Sequence, residues 1–327
     1  MIIKNRNNLV KTDARERVLQ IIEAGITRVL PLNIMMNAVS YDTASQNITV
    51  NGDVFRSAEG RIFVIGGGKA TGLMAQALER IIGTQNIVAG VVSCKGRHFK
   101  TRRIKTIIGG HPIPDQRGVD GVTEMLALKQ VYSIGKNDVV ICLLSGGGSS
   151  LMPYPVKEVS LSDKQKITEL LIGSGAEIGE INVVRKHLSR IKGGRLGDFY
   201  FPATVITLIL SDVIGNDLTT IASGPTFPDL STFSDAYDVL KRYGLLAKAP
   251  RSVADFIRKG LHGDLAETPK TLTNCYNYII GDNSLALDAM SKKAKDIGLS
   301  PHILTTRQKG DTTAVAQSRA GEVLSHK

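Results

Sequence analysis

The stretch Val139 to Leu151, VVICLLSGGGSSL, constrains the fold more than any other part of the chain. Six consecutive apolar residues, Val139 to Leu144, stand between Asn137-Asp138 and the run Ser145-Gly146-Gly147-Gly148-Ser149-Ser150. An apolar run of that length without polar alternation suits a strand covered on both faces, as parallel strands inside α/β sheets are. The turn after it carries chemistry. Three glycines permit positive φ and close approach of backbone to a ligand, the serines offer hydroxyls, and successive N–H groups can cradle phosphate or carboxylate. A plain strand-to-loop connection is the alternative, but such a connection seldom needs three glycines between serines.

The same phrase, strand then small polar turn then helix, recurs along the chain. Arg61 to Ile65 reads as a strand, Gly66 to Gly72 (GGGKATG) as a glycine-rich turn, and Leu73, Met74, Ala77, Leu78 and Ile81 as one face of a helix. Further strands are expected at Ile87 to Ser93, Ile104 to Ile108, Thr204 to Leu210 and from Tyr278 to Gly281. Helices are expected over Thr12 to Leu30, stopped by Pro31, over Gly121 to Gln130, near Asp163 to Leu171, and into Lys293 from a cap at Asn283 or Ser284. Val54 to Glu59 reads as polar and turn-like. Such alternation predicts a parallel sheet sandwiched by helices, with the turns gathered on one edge.

Composition narrows the ligand class. A chain of 327 residues, 42% hydrophobic, can bury a real core in one large or two moderate domains. Its formal charge of +11 favours anionic partners. Aromatics are only 5% and most Lys and Arg are dispersed, which speaks against nucleic acid. The one basic cluster, Lys95 through Lys105 with Arg97, His98, Lys100, Arg102 and Arg103, reads as a solvated edge or a guide for an acidic substrate. Cys94, Cys142 and Cys275 are too far apart for a C-x-x-C pair, so no disulfide framework or zinc site is expected, and Cys94 and Cys142 belong to the core. The N-terminus lacks a signal-peptide core and no apolar run reaches membrane-spanning length, so a cytoplasmic protein without membrane attachment is expected.

Two familiar phosphate-binding fingerprints fail on counting. A G-x-G-x-x-G motif from Gly66 needs glycine where Thr71 stands, and a Walker A motif ending at Gly68-Lys69 needs glycine at Phe63 and Ser or Thr at Ala70. What survives is Lys69 behind glycines at a helix N-terminus, a place that favours an anion; a solvent-facing lysine is the plainer reading. His111 and Asp115 lie in GGHPIPD, Gly109 to Asp115, where two prolines exclude helix; His111 reads as a ligand, an acid/base or a structural histidine. In the basic segment Ile181 to Gly197, Val184, Leu188 and Ile191 keep one face inward and leave Arg185, Lys192 and Arg195 to meet something negative. Asp212 follows the strand Thr204 to Leu210, where a carboxylate can hold Mg²⁺, take a proton from a hydroxyl, or simply cap a turn.

The ordered set GGGKA (Gly66 to Ala70), GGHPIPD (Gly109 to Asp115), SGGGSS (Ser145 to Ser150), VRKHLSRIKGGRL (Val184 to Leu196) and SDVIGND…SGPT (Ser211 to Thr226) resembles the glycerate 2-kinase family, some members of which are labelled hydroxypyruvate reductase. The resemblance implies a Rossmann-like α/β domain, spanning 1–327 here, with the site in a cleft shared with a smaller C-terminal MOFRL domain. That domain's Arg-Asn-Gln-Glu pattern is not found before Lys327, so it is expected to be absent or truncated. The implied activity is ATP-dependent phosphorylation of D-glycerate at its 2-hydroxyl, with Mg²⁺, giving 2-phosphoglycerate. On this sequence the resemblance implies Lys69 and Asp212 as catalytic residues, Asp212 also serving the metal. Gly66, Gly67 and Gly68 are assigned to the nucleotide, Ser145, Gly146, Gly147, Gly148, Ser149 and Ser150 to the nucleotide phosphates or the substrate carboxylate, and His111, Arg185 and Lys192 to the substrate. A nucleotide- or hydroxy-acid-binding module without turnover is the alternative. A nicotinamide oxidoreductase is disfavoured by the failed dinucleotide fingerprint, and assembly as a homo-oligomer is left open.

Overall fold

The computed structural model describes residues 2–57, 59–96 and 98–325. Its strands are β1 Val39–Asp42, β2 Asn47–Val50, β3 Asp53–Arg56, β4 Ile62–Gly68, β5 Ile87–Cys94, β6 Ile104–Ile108, β7 Val139–Ser145, β8 Thr204–Leu210 and β9 Cys275–Gly281. The first three pair antiparallel in a small sheet, and the other six form a wholly parallel sheet in the order β6-β5-β4-β7-β8-β9. This is the expected α/β sandwich. From β4 the chain steps outward to β5 and β6, then returns to the other side of β4 to place β7. The carboxyl ends of β4 and β7 therefore flank a topological switch point, where such sheets open a crevice for ligand.

Every residue of β4 and of β7 is buried, so the unbroken apolar runs are explained by helices on both faces. One face is packed through Val64, Ile141, Leu143 and Leu208 with Met74 and Leu78 from the helix Thr71–Ile82. Phe63, Ile65, Cys142 and Leu144 point to the opposite face, toward Val122 and Met125 of the helix Gln116–Val131. Cys94 and Cys142 are fully buried, as expected. Leu73, assigned to the inward face of its helix, is instead 45% exposed, because helical rotation puts it on the stripe of Gln76 and Arg80, away from Met74 and Leu78.

The contacts divide the chain into two compact units, Val29–Asp282 and Met1–Arg28 with Asn283–Lys327. The first holds both sheets. In the second, the helix Asp13–Arg28 packs on the helix Asn283–Asp296 at Gly25, where an added Cβ would stand 2.6 Å from Met290 Cγ. No single helix among the described residues is long and apolar enough to cross a membrane.

Several local expectations change. Pro31 does not merely stop a helix: it occupies the first turn of another, Pro31–Ala38, where its missing N–H costs nothing. Val54 to Glu59 is not all turn, because its first part belongs to β3, whose Phe55 meets the rings of Tyr276 and Tyr278 on β9 at 5.0 and 6.1 Å. Val54 is 59% exposed, so no period-two burial marked this strand in the sequence. Gly66, Gly67 and Gly68 are the last three residues of β4 rather than a turn. Gly66 has φ +135°, and a Cβ there would lie 2.0 Å from the Leu143 carbonyl oxygen of β7, so this glycine lets two central strands approach. The helices Phe233–Arg242 and Arg251–Leu261, unassigned in the sequence reading, build a third apolar cluster with Leu171, Val184 and Leu188.

Candidate active site at the switch point

The turns after β4 and β7 are bonded to each other. The Lys69 N–H donates to the Gly146 carbonyl (2.8 Å) and the Ala70 N–H to Ser145 Oγ (3.0 Å). Ser145 itself is buried, and a Cβ on Gly68 would fall 2.1 Å from its Oγ. The serine that opens the turn therefore holds backbone, leaving the glycines after it to face the crevice. Gly147 adopts φ +83° and starts a short helix, Gly148–Leu151. The N–H groups of Gly147, Gly148 and Ser149 donate to no acceptor among the described residues.

Lys69, Asp212 and His111 converge on this turn from three different strands' carboxyl ends. Lys69 Nζ lies 3.2 Å from Asp212 Oδ2, and both side chains are about half exposed, at 47% and 57%. A Cβ on Gly146 would stand 1.8 Å from Asp212 Oδ2, and one on Gly147 would stand 2.7 Å from His111 Cδ2 and 3.2 Å from Lys69 Cγ. Two glycines thus make room for three polar side chains. Burial, then Lys95 and Lys69, lower the His111 pKa, with Asp212 opposing, so the imidazole is neutral near pH 7. Its buried Nδ1 has no hydrogen-bond partner among the described residues. Asp115 sits outside this group, capping the helix Gln116–Val131 through the Gly118 N–H and pairing with Arg117. Of the basic cluster, Lys95 bears on His111, while Arg97 lies outside the described residues.

Ser149 Oγ is 2.8 Å from Ser223 Oγ, which donates to Asn182 Oδ1 at 3.0 Å. Ser223 and Ala222 both have positive φ, 61° and 50°, an uncommon conformation for two consecutive residues with side chains. Ser223 lies within the SGPT motif, but nothing in its spacing signalled a bond to Asn182, forty-one residues earlier. Ser150 N–H is used within its helix, accepted by the Gly147 carbonyl.

Lys192 comes to the same turn from behind. It is 3% exposed, its Nζ donates to the Gly148 carbonyl at 3.2 Å, and burial followed by the charge of Arg185 brings its pKa down to about 7. Arg185 is half-buried on the helix Ile178–His187 and bonds to no described residue. Arg195, left open in the sequence, gives its guanidinium to the carbonyls of Lys186 and Ser189. Lys186 pairs with buried Asp229 at 3.1 Å, a bridge with no sequence signal because its partners are forty-three residues apart. Lys69, His111, Gly146 to Ser149, Lys192 and Asp212 are thus brought around one turn, whereas Gly66 to Gly68 lie in the sheet beneath it.

Residues 17–258 match the family model described as Domain of unknown function (DUF4147). The glycerate 2-kinase of Pyrococcus horikoshii is 40% identical over 304 residues, covering 93% of this chain and 67% of that protein. The D-glycerate 2-kinase of Thermotoga maritima is 41% identical over 248 residues, covering 75% of this chain and 57% of the relative. The crystal structure of a Thermotoga maritima glycerate kinase superposes with a TM-score of 0.74 at 37% identity, covering 89% of this chain and 64% of the solved one. The chain therefore spans roughly three fifths to two thirds of the length of these relatives.

Proposed function

We propose, for a chain that belongs to the glycerate 2-kinase family matched by the DUF4147 model, that it serves ATP-dependent transfer of a phosphoryl group to the 2-hydroxyl of D-glycerate. The observation that carries this reading is the Lys69–Asp212 pair, 3.2 Å apart beside a glycine turn with unclaimed N–H groups at a switch point. Phosphoryl transfer asks a protein mainly for positioning and for neutralising charge on the transferred group.

In this reading the N–H groups of Gly147, Gly148 and Ser149 hold phosphate oxygens, and the Lys69 ammonium meets the charge that builds on the transferring phosphoryl group. Asp212 accepts the proton of the 2-hydroxyl as its oxygen attacks the terminal phosphorus. The bond from that phosphorus to the bridging oxygen breaks, and ADP leaves with the electron pair. Neutral His111 adds a hydrogen-bonding group without adding charge.

Mg²⁺ fits this residue set as a companion of the nucleotide. Among the described residues no group of three or more His, Cys, Asp or Glu side chains is placed to hold a metal. Mg²⁺ is commonly held by one or two carboxylates together with substrate phosphates, and Asp212, whose Oδ1 bonds to no described residue, can supply one. When bound, the ion would neutralise charge on the nucleotide's phosphates.

A coupled assay of ADP release with ATP, Mg²⁺ and D-glycerate, with the product identified as 2-phosphoglycerate, tests the reading. Folded, ATP-binding chain that releases no ADP on addition of D-glycerate defeats it and leaves a binding module.

A further inference from the structure

Near the glycine turn, three basic side chains, Lys164, Arg185 and Lys192, feel no acid among the described residues. Lys192 Nζ reaches the Gly148 carbonyl, and Lys164, 8% exposed on the helix Leu161–Gly173, reaches the Leu188 carbonyl at 3.2 Å. Leu188 follows directly on the helix Ile178–His187, which carries Arg185 one turn earlier, and the charges of Arg185 and Lys192 both bear on Lys164. Each ammonium has one protein acceptor and the guanidinium none among the described residues.

The other charged groups near them point elsewhere. Arg195 serves the carbonyls of Lys186 and Ser189, Asp229 takes Lys186 through Oδ1 while its buried Oδ2 meets no partner among the described residues, Glu267 takes Lys270, and Asp163 accepts from Ser252. The Cys142 thiol on β7, raised by burial to about 12, is neutral. Burial pushes the pKa of Lys164 well down, and Arg185, Lys192 and Arg195 push it further; no carboxylate opposes them. Uncompensated cations in low dielectric cost free energy, and the natural remedy is an anion from solution.

We propose that Lys164, Arg185 and Lys192 form a pocket for the carboxylate of the hydroxy-acid substrate, distinct from the N–H groups that take the nucleotide's phosphates. This rests on the kinase reading and deepens it by placing the two ends of the substrate. Lys192 lies at the carbonyl of Gly148 rather than at the N–H groups of the turn, and the planar Arg185 fork suits a carboxylate's two oxygens. A carboxylate arriving there restores the charged form of a lysine, so a proton is taken from solvent onto Nζ as the pocket fills.

Isothermal titration of the full chain with D-glycerate, in buffers of different ionisation enthalpy at about pH 7.5, tests this. The expected result is net proton uptake approaching one per glycerate, no binding of glycerol, and at least about tenfold weaker glycerate binding by Lys164→Met with ATP binding retained. Should Lys164→Met not fold, the wild-type KM for D-glycerate decides: it should rise toward about tenfold per pH unit above pH 8. Buffer-independent heats, absence of glycerate binding, a Lys164→Met affinity within about twofold of wild type, or a flat KM overturns the pocket. Turnover with any of those results leaves the kinase reading standing without the pocket. Glycerate binding with proton uptake but no ADP release does the reverse.

Discussion

Single atoms decide what the crevice can hold. Gly146 has no side chain because Asp212 Oδ2 occupies the space 1.8 Å from where its Cβ would be. Gly146→Ala should therefore push the carboxylate off Lys69 and lower kcat about 100-fold or more, with circular dichroism and melting temperature close to wild type, since the displaced group is an exposed side chain. Lys69→Ala and Asp212→Ala should each reduce kcat by about two to four orders of magnitude in the ADP-release assay, the scale of a lost electrostatic or proton-accepting group. A rate near wild type in either variant removes that residue from the mechanism. Lys69 and Asp212 were legible in the sequence because each follows an apolar run at a place where a strand ends. Asn182, Ser223 and Lys164 were not, because their roles depend on partners forty-one, seventy-four and twenty-four residues away.

Strands and turns place those atoms, and here glycine works in two ways. In β4, Gly66 allows the strand to lie against β7: Gly66→Ala combines a positive-φ strain with a Cβ driven into the Leu143 carbonyl. It should cost about 3–5 kcal/mol, read as a lower midpoint in urea with activity lost only in proportion to unfolding. After β7 the glycines instead face the crevice, and the same residue type in the sequence could not distinguish the two cases. Lys192 shows the cost of the site to its element. Its ammonium is held at about 7 in the fold against about 10.4 in the unfolded chain. Between those values the unfolded chain binds the proton and the folded chain does not, so stability falls as pH drops from about 10 to about 7. Lys192→Met should melt higher than the ligand-free wild type at pH 7, and the difference should shrink as pH approaches 10. Equal melting temperatures across that range contradict the burial argument.

For the molecule as a whole, the charge of +11 acts at longer range than any of these contacts. Raising KCl from about 50 to about 300 mM should increase the apparent KM for ATP several-fold while kcat at saturation changes little, as screening weakens the field that gathers an anion. A salt-independent KM removes net charge from the account. The sequence by itself determined the layered parallel sheet, because continuous apolar runs, strand-ending glycines and intervening helical periodicity are local signals with one topological solution. It also carried the family resemblance, since five motifs in order survive as strings. It did not show β3, whose mixed exposure lacks a period, nor that Gly66 to Gly68 lie inside a strand, since extended and turning glycines share a letter. Only the tertiary structure decided which cations are unmatched. Charge balance in a buried place depends on every element that packs around it, and Lys186 found Asp229 whereas Lys164, Arg185 and Lys192 found no acid among the described residues.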